Sequence, residues 1–234
     1  MRGARKGTGT AVAGITFGAA YIAGWALGVA GLPESFPPTA DELVAYNEDH
    51  AGTAMAAGTL TALSVAALIW WVARLRLRLR DVEGGDGRLS DVAAGGGLVA
   101  AAVLLVASSA KFMPAIRADD QGGLDPAVAT TMGDLHAHLA GAAAPLAFGL
   151  LVAATAALGF RHRLLPRWLS WLSALLGGAL IVPVAPWIAI MAFPFWVIAV
   201  CIVLQRRPTA TPALGPEGFT AQDDRPAPVA QQLS

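Results

Sequence analysis

The positions of the basic residues constrain this chain more than any other feature of its sequence. Six long apolar stretches are joined by short connections, and the Lys and Arg residues other than Lys111 and Arg117 lie at the chain ends or in alternate connections. The basic clusters are Arg2/Arg5/Lys6, Arg74/Arg76/Arg78/Arg80/Arg88, Arg161/Arg163/Arg167 and Arg206/Arg207, with Arg225 further on. Cytoplasmic loops of membrane proteins carry the excess of Lys and Arg. The pattern therefore predicts an all-α bundle of six transmembrane helices with both termini in the cytoplasm.

Composition supports a membrane domain. The chain is 56% hydrophobic and 14% charged, whereas soluble domains carry about 25% charged residues. Six spans of about 20 residues would use half of the chain, so we predict one transmembrane domain over residues 1–207. Residues 208–234 are rich in Pro, Ala and Gln and lack an apolar period, which predicts a disordered cytoplasmic tail.

Composition also bears on location and partners. Arg far outnumbers Lys, and Ala and Gly are abundant, which favours a bacterial protein of the plasma (inner) membrane. The net charge is zero, which gives no reason to expect nucleic acid. The single Cys201 excludes an intrachain disulfide. We expect the arginines from Arg74 to Arg80 to set the orientation and to contact anionic lipids at the cytoplasmic face.

Local signals predict the helix limits. Apolar stretches place spans at about residues 9–31, 51–73, 91–113, 138–160, 165–182 and 187–204. A capping box at Thr39 and Glu42 predicts a helix that starts near residue 40 and continues without a break into the second span. Asp125 and Pro126 predict the start of another helix that leads into the fourth span. Helices 2 and 4 should therefore extend beyond the membrane on the outer side.

Three further features predict irregular or close packing. Pro145 should kink the fourth span or loosen its packing. The spacings Gly14-x-x-x-Gly18 and Gly24-x-x-x-Gly28 would let helices approach closely, or would simply reflect the abundance of small residues. A tight outer turn is expected at residues 182–186, where two prolines separate the last two spans.

Ionisable residues converge at the outer ends of the spans. The middle third of each span lacks acids, Arg and His, which argues against ion-coupled transport. The candidate ligand-binding residues are Tyr46, His50, Lys111, Asp134 and His138. Within this set, Tyr46 and His50 are four residues apart, as are Asp134 and His138, so each pair shares a helix face. We expect both faces to point inward and to bind or pass a small or lipidic ligand through an outward-facing pocket, or to form a polar cap in which Asp134 orients His138.

Two other chemistries are compatible with these residue types. His50, Asp134 and His138 could ligate zinc or another divalent metal, with Glu48 or Asp49 as a fourth ligand. The protein would then be a metal-dependent membrane hydrolase with its site at the outer interface.

Haem is the other cofactor that the histidines could hold, through His50 with His136 or His138. His136 and His138 lie about 200° apart on a helix, so they do not readily chelate one metal together. The main expectation is a non-enzymatic role. The chain would act as a ligand-binding protein, as an accessory or scaffold subunit of a membrane complex, or as a homo-oligomer.

Several segments also carry a resemblance. PESFPPTADELVAYNEDHAG, LRLRLRDVEGGDGRLSDVA, GGLDPAVATTMGDLHAHL, APLAFG and LLPRWLSWLS occur in order between residues 10 and 207. They resemble six-helix integral membrane proteins of actinobacteria that are grouped in domain-of-unknown-function families. The resemblance implies an integral membrane protein and no particular activity, and it assigns no catalytic residue.

Overall fold

The computed structural model of the chain describes residues 4–32, 38–121, 123–182 and 186–206, with the side chains of residues 4–8, 119–121 and 186–187 left aside. All regular structure in these ranges is helical. The elements are α1 (Ala4–Val29), α2 (Ala40–Asp49), α3 (Ala51–Glu83), α4 (Arg88–Gln121), α5 (Pro126–His138), a π turn (Leu139–Ala143), α6 (Ala144–His162), α7 (Arg167–Ile181) and α8 (Pro186–Arg206). The predicted tail at 208–234 and most of the tight turn at 182–186 lie outside the described ranges.

Five helical segments of the described chain are long and apolar enough to cross a membrane. They are Gly9–Val29, Ala51–Glu83, Arg88–Ala118, Pro126–His162 and Ile188–Arg206. The helix α7 is apolar but shorter, with 15 residues. The prediction of an all-helical, multi-pass membrane protein is thereby confirmed. The helical extensions predicted ahead of the second and fourth spans correspond to α2 and α5.

The apolar helices close into a ring in chain order. Contacts run from α1 to α3, α4, α6, α7 and α8, and α8 packs back against α1. Inside the ring, Phe193 packs on Phe148 with ring centroids 4.0 Å apart and on Phe17 at 5.7 Å. Two tryptophans satisfy their N–H groups inside this core, since Trp71 donates to Cys201 Sγ at 3.0 Å and Trp196 donates to Ser173 Oγ at 2.8 Å. Buried aromatic area of this kind dominates core packing energy.

Both glycine motifs of α1 lie at helix contacts, so the close-approach interpretation is confirmed. A Cβ at Gly18 would lie 2.9 Å from Ile198 Cδ1 on α8. A Cβ at Gly24 would lie 3.0 Å from Thr61 Oγ1 on α3. Gly14 faces Cys201 on α8, whereas Gly28 faces Lys111 on α4.

The helix starts follow the sequence signals. The Thr39 N–H donates to Glu42 Oε2 at 2.7 Å and the Glu42 N–H donates to Thr39 Oγ1 at 3.3 Å, which completes the predicted capping box. The Asp125 carboxylate accepts from the Ala127 N–H at 2.8 Å, with Pro126 opening α5.

Two predicted limits are wrong. The helix that begins at residue 40 is interrupted at His50, whose φ of −120° and ψ of 20° are not helical. The ring of His50 there packs against Gly31, just beyond the end of α1, and this tertiary contact outweighs the local helical preference. The third predicted helix does not end near residue 113, because α4 continues through Pro114 to Gln121. The helix α4 also packs against α2 and α5. Lys111 is consequently well inside a helix and not at its end.

Pro145 produces the irregularity that was expected of it. A proline cannot donate to the carbonyl four residues earlier, and the helix widens into the π turn Leu139–Ala143 just before it. The Ala144 N–H donates to the Leu139 carbonyl, five residues back. Single π turns of this kind insert one extra residue and occur often at functional sites.

Candidate functional site

The carbonyl of Gly28 in the last turn of α1 is the centre of a polar cluster. Carbonyls in the last turn of a helix lack intrahelical partners and carry partial negative charge. The Tyr46 hydroxyl donates to the Gly28 oxygen at 3.2 Å, and the Lys111 ammonium donates to the same oxygen at 2.7 Å. One backbone oxygen therefore joins α1, α2 and α4.

The absence of a side chain at Gly28 makes this arrangement possible. A Cβ there would lie 2.7 Å from Lys111 Nζ, inside van der Waals contact. Tyr46 is buried, and burial raises the pKa of its phenol. The phenol therefore stays neutral at physiological pH and keeps the proton that it donates to Gly28.

His50 lies against the same end of α1. Its ring stacks on the Tyr46 ring with centroids 5.1 Å apart and an interplanar angle of 19°. On the other side it faces Gly31, where a Cβ would lie 2.5 Å from Nε2. Gly31 also has a φ of 77°, a conformation that glycine adopts without steric cost. Both features require glycine at this position.

One nitrogen of His50 has no partner. Among the described residues, His50 Nδ1 is the buried side-chain polar atom for which no hydrogen bond is formed. Most buried polar side-chain atoms are hydrogen-bonded, and an exception calls for an explanation such as a bound group.

Lys111 has a backbone carbonyl as its partner but no carboxylate among the described residues. The ion pairs Arg76–Asp91 and Arg88–Asp86 lie at the opposite, arginine-rich end, and no carboxylate of the described residues pairs with Lys111. An ammonium group carries three N–H donors, of which the Gly28 carbonyl accepts one. Ionisable groups within membrane segments are costly and usually pair with an opposite charge or a backbone carbonyl.

The second histidine of the site is His136 and not His138. The His136 Nδ1 lies 2.9 Å from the carbonyl oxygen of Ala107, one helical turn from Lys111 on α4. Asp134 and His138 are exposed, so the expectation that they face inward does not hold. We call Tyr46, His50, Lys111 and His136, with the Gly28 carbonyl, the Lys111 cluster.

A sequence signal for His136 existed. It lies at helical spacing with Ala129, Gly133 and Ala140, and both alanines are buried. A stripe of small residues that contains one histidine is typical of a helix face that packs closely on a neighbour.

The structure does not assemble the predicted metal site. The described residues contain no group of three His, Cys, Asp or Glu side chains that could hold a metal ion. His50 is in the cluster, whereas Asp134 and His138 are exposed. Three of the five predicted ligand-binding residues, Tyr46, His50 and Lys111, do lie in one place.

The comparisons with known proteins add no further assignment. The chain matches no protein-family model, no curated protein and no solved structure. The resemblance to six-helix actinobacterial membrane proteins stays an expectation.

Proposed function

We propose that this chain is a six-span plasma-membrane protein, with both termini in the cytoplasm, that binds a small or lipidic ligand at the Lys111 cluster. The arginines at one end of the bundle support this orientation, because they mark the cytoplasmic side. The cluster then lies at the outer end of the helices. The ligand reaches it from outside or from the outer leaflet.

The observation that carries the proposal is the unpaired charge of Lys111. The ammonium is half-buried, donates to the Gly28 carbonyl and faces no carboxylate of the described chain. An anionic group on the ligand, such as a carboxylate or a phosphate, would pair with it. His50 Nδ1, the buried nitrogen without a partner, supplies a second polar contact beside the same end of α1.

A purely structural polar cap would have a different composition. Buried charges in structural networks are paired, because an unpaired charge costs more than its hydrogen bonds return. The Tyr46 hydroxyl stabilises the end of α1 through the Gly28 carbonyl, and His136 joins α5 to the Ala107 carbonyl of α4. They would do so without a lysine. The positive charge therefore favours a binding role.

The experiment measures thermal unfolding of the full chain in a neutral detergent with added anions. The probes are acetate and inorganic phosphate as soluble anions, and oleate and phosphatidylglycerol as lipidic ones, with phosphatidylcholine as the zwitterionic control. A ligand present at a hundred times its dissociation constant stabilises the folded state by about 2.7 kcal/mol. We expect a stabilising shift from at least one anionic probe, and whether the soluble or the lipidic probes cause it identifies the source of the ligand.

Matched variants localise the effect. Lys111→Met and His50→Ala should reduce the shift, while Asp134→Asn and His138→Ala, which change exposed residues near the same end, should leave it intact. A shift that survives Lys111→Met, or no shift from any anionic probe, contradicts the proposal.

A further inference from the structure

A second feature lies at the arginine-rich end, on the surface that α1 and α3 present to the lipid. It is a groove of about 450 Å³ lined by Gly9, Val12, Ala13, Thr16, Ala67 and Trp70. Apart from Thr16 its lining side chains are apolar. From Gly9 to Thr16 the groove runs for about 10 Å along α1, at a rise of 1.5 Å per residue.

Small residues create the concavity. A Cβ at Gly9 would meet no atom within 4 Å, so the backbone of α1 is open there. Val12, Thr16 and Trp70 are exposed and form its rims. Close packing is the norm in a folded protein, because an empty space forfeits dispersion contacts on one side. A groove of this shape on a membrane-facing surface is therefore filled by an acyl chain or by another helix.

A positive charge stands at the mouth of the groove. The Arg74 guanidinium carbon lies 5.4 Å from the centroid of the Trp70 ring, within cation–π range. Arg74 is one helical turn beyond Trp70, and it forms no ion pair with the described residues. A guanidinium group presents a rigid fork of donors that matches a phosphate.

We propose that this groove is a phospholipid site in which an acyl chain lies along Gly9, Ala13 and Ala67 and an anionic headgroup phosphate binds Arg74. The ring of Trp70 forms one wall for the chain and orients the guanidinium above it. The lipid belongs to the leaflet on the arginine-rich side. The site is separate from the Lys111 cluster and does not depend on the function proposed for it.

The charge distribution argues against a second copy as the occupant. A two-fold interface presents the same surface from both subunits. Pairing two copies through this groove would bring the arginine-rich ends of two α3 helices together, and like charges across an interface are repulsive. A phosphate is complementary to the same surface.

The test is native mass spectrometry of the full chain, with phosphatidylglycerol and phosphatidylcholine of identical acyl chains as competing probes. The wild-type protein should retain one lipid, with phosphatidylglycerol preferred by about tenfold. Gly9→Leu fills the groove and should abolish retention of both lipids. Arg74→Gln should remove the preference and leave phosphatidylcholine bound.

Each variant has a matched control elsewhere. Gly95→Leu places the same side chain at another helical glycine with open space around it, and Arg78→Gln removes one charge from the helix that carries Arg74. Both controls should behave as the wild type. Equal effects of Arg74→Gln and Arg78→Gln would show diffuse charge attraction and overturn the site. Two results for Gly9→Leu would overturn the site as well. One is lipid retention equal to that of Gly95→Leu, and the other is conversion of a dimeric wild-type protein into a monomer.

Discussion

Gly31 shows how one residue fixes the position of a functional side chain. Its positive φ and its contact with the His50 ring both exclude a Cβ. We expect Gly31→Ala to destabilise the protein by about 1–3 kcal/mol, from backbone strain together with displacement of the ring. Thermal unfolding in detergent measures this. Gly52→Ala is the matched control, since Gly52 is helical with open space around it, and alanine there should be neutral or stabilising.

The hydroxyl of Tyr46 gives a second prediction at this scale. Tyr46→Phe removes the hydrogen bond to the Gly28 carbonyl. The expected loss is about 0.5–1.5 kcal/mol in the free energy of unfolding, because Lys111 still satisfies that oxygen. Tyr21→Phe serves as the control, since Tyr21 forms no hydrogen bond within the described chain. An equal loss in both variants would mean that the Gly28 bond contributes nothing measurable.

The residue composition of the site was only partly predictable from the sequence. Tyr46 and His50 are four residues apart, and this local spacing predicts the proximity that their stacked rings show. The exposure of His138, which was expected to face inward, has a physical cause. The π turn inserts an extra residue, so regular helical spacing counted across it identifies the wrong face of α5.

Among the elements, the turn between α3 and α4 depends on Glu83. The Glu83 carboxylate accepts from the Leu89 N–H and the Ser90 N–H, each at 2.8 Å, and so caps the start of α4. Glu83→Gln should destabilise the protein by about 1 kcal/mol through loss of a charged N-terminal cap. Asp81→Asn, an exposed acid on the same helix end, should have little effect on the melting temperature. Equal shifts would indicate a general charge effect and not a cap.

The π turn gives a prediction on register. Pro145→Ala restores an N–H that can donate to the carbonyl of Gly141, so the helix should relax toward a regular α form. A regular α-helix lacks the extra residue that the π turn accommodates, so α5 should rotate relative to α6. That rotation moves His136 away from Ala107. In a Cys201→Ala background, the double variant Ala107→Cys/His136→Cys should form a disulfide. The yield of that disulfide should decrease strongly when Pro145→Ala is added. An unchanged yield would show that contacts with α2 and α4 hold the turn without the proline.

Element types were predictable because span length, capping residues and prolines act locally. The interruption at His50 and the continuation of α4 through Pro114 were not, because contacts between helices decide both. No local signal distinguishes a helix that bends at a histidine from one that continues through it.

For the whole molecule, the charge pattern and the closed helix ring predict six crossings, although α7 has only 15 residues. At about 1.5 Å per residue this is shorter than a bilayer core of about 30 Å. A short span is accommodated by local thinning of the bilayer. Its exposed residues Trp168 and Trp171 suit an interfacial position.

Cysteine labelling of intact cells tests that topology, in a Cys201→Ala background. Gly85→Cys and Gln205→Cys should react only after permeabilisation, whereas Gly123→Cys should react from outside. Labelling of Gln205→Cys from outside would mean an odd number of crossings and would contradict the six-span arrangement. The fold class could be predicted from the sequence because a membrane imposes length, hydropathy and charge asymmetry on every span. The arrangement of helices around Gly28 could not, since it depends on side-chain contacts between distant segments.

The central claim is that the charge of Lys111 serves a ligand and not the fold, and the most direct measurement is the melting temperature of Lys111→Met without ligand. Met has a similar length and removes the unpaired cation, while Tyr46 still donates to the Gly28 carbonyl. Replacing a poorly compensated charge by an apolar side chain of similar volume is often neutral or stabilising. We predict an unchanged or higher melting temperature. A decrease equivalent to about 3 kcal/mol, as expected when a structural charge network is broken, would contradict the account.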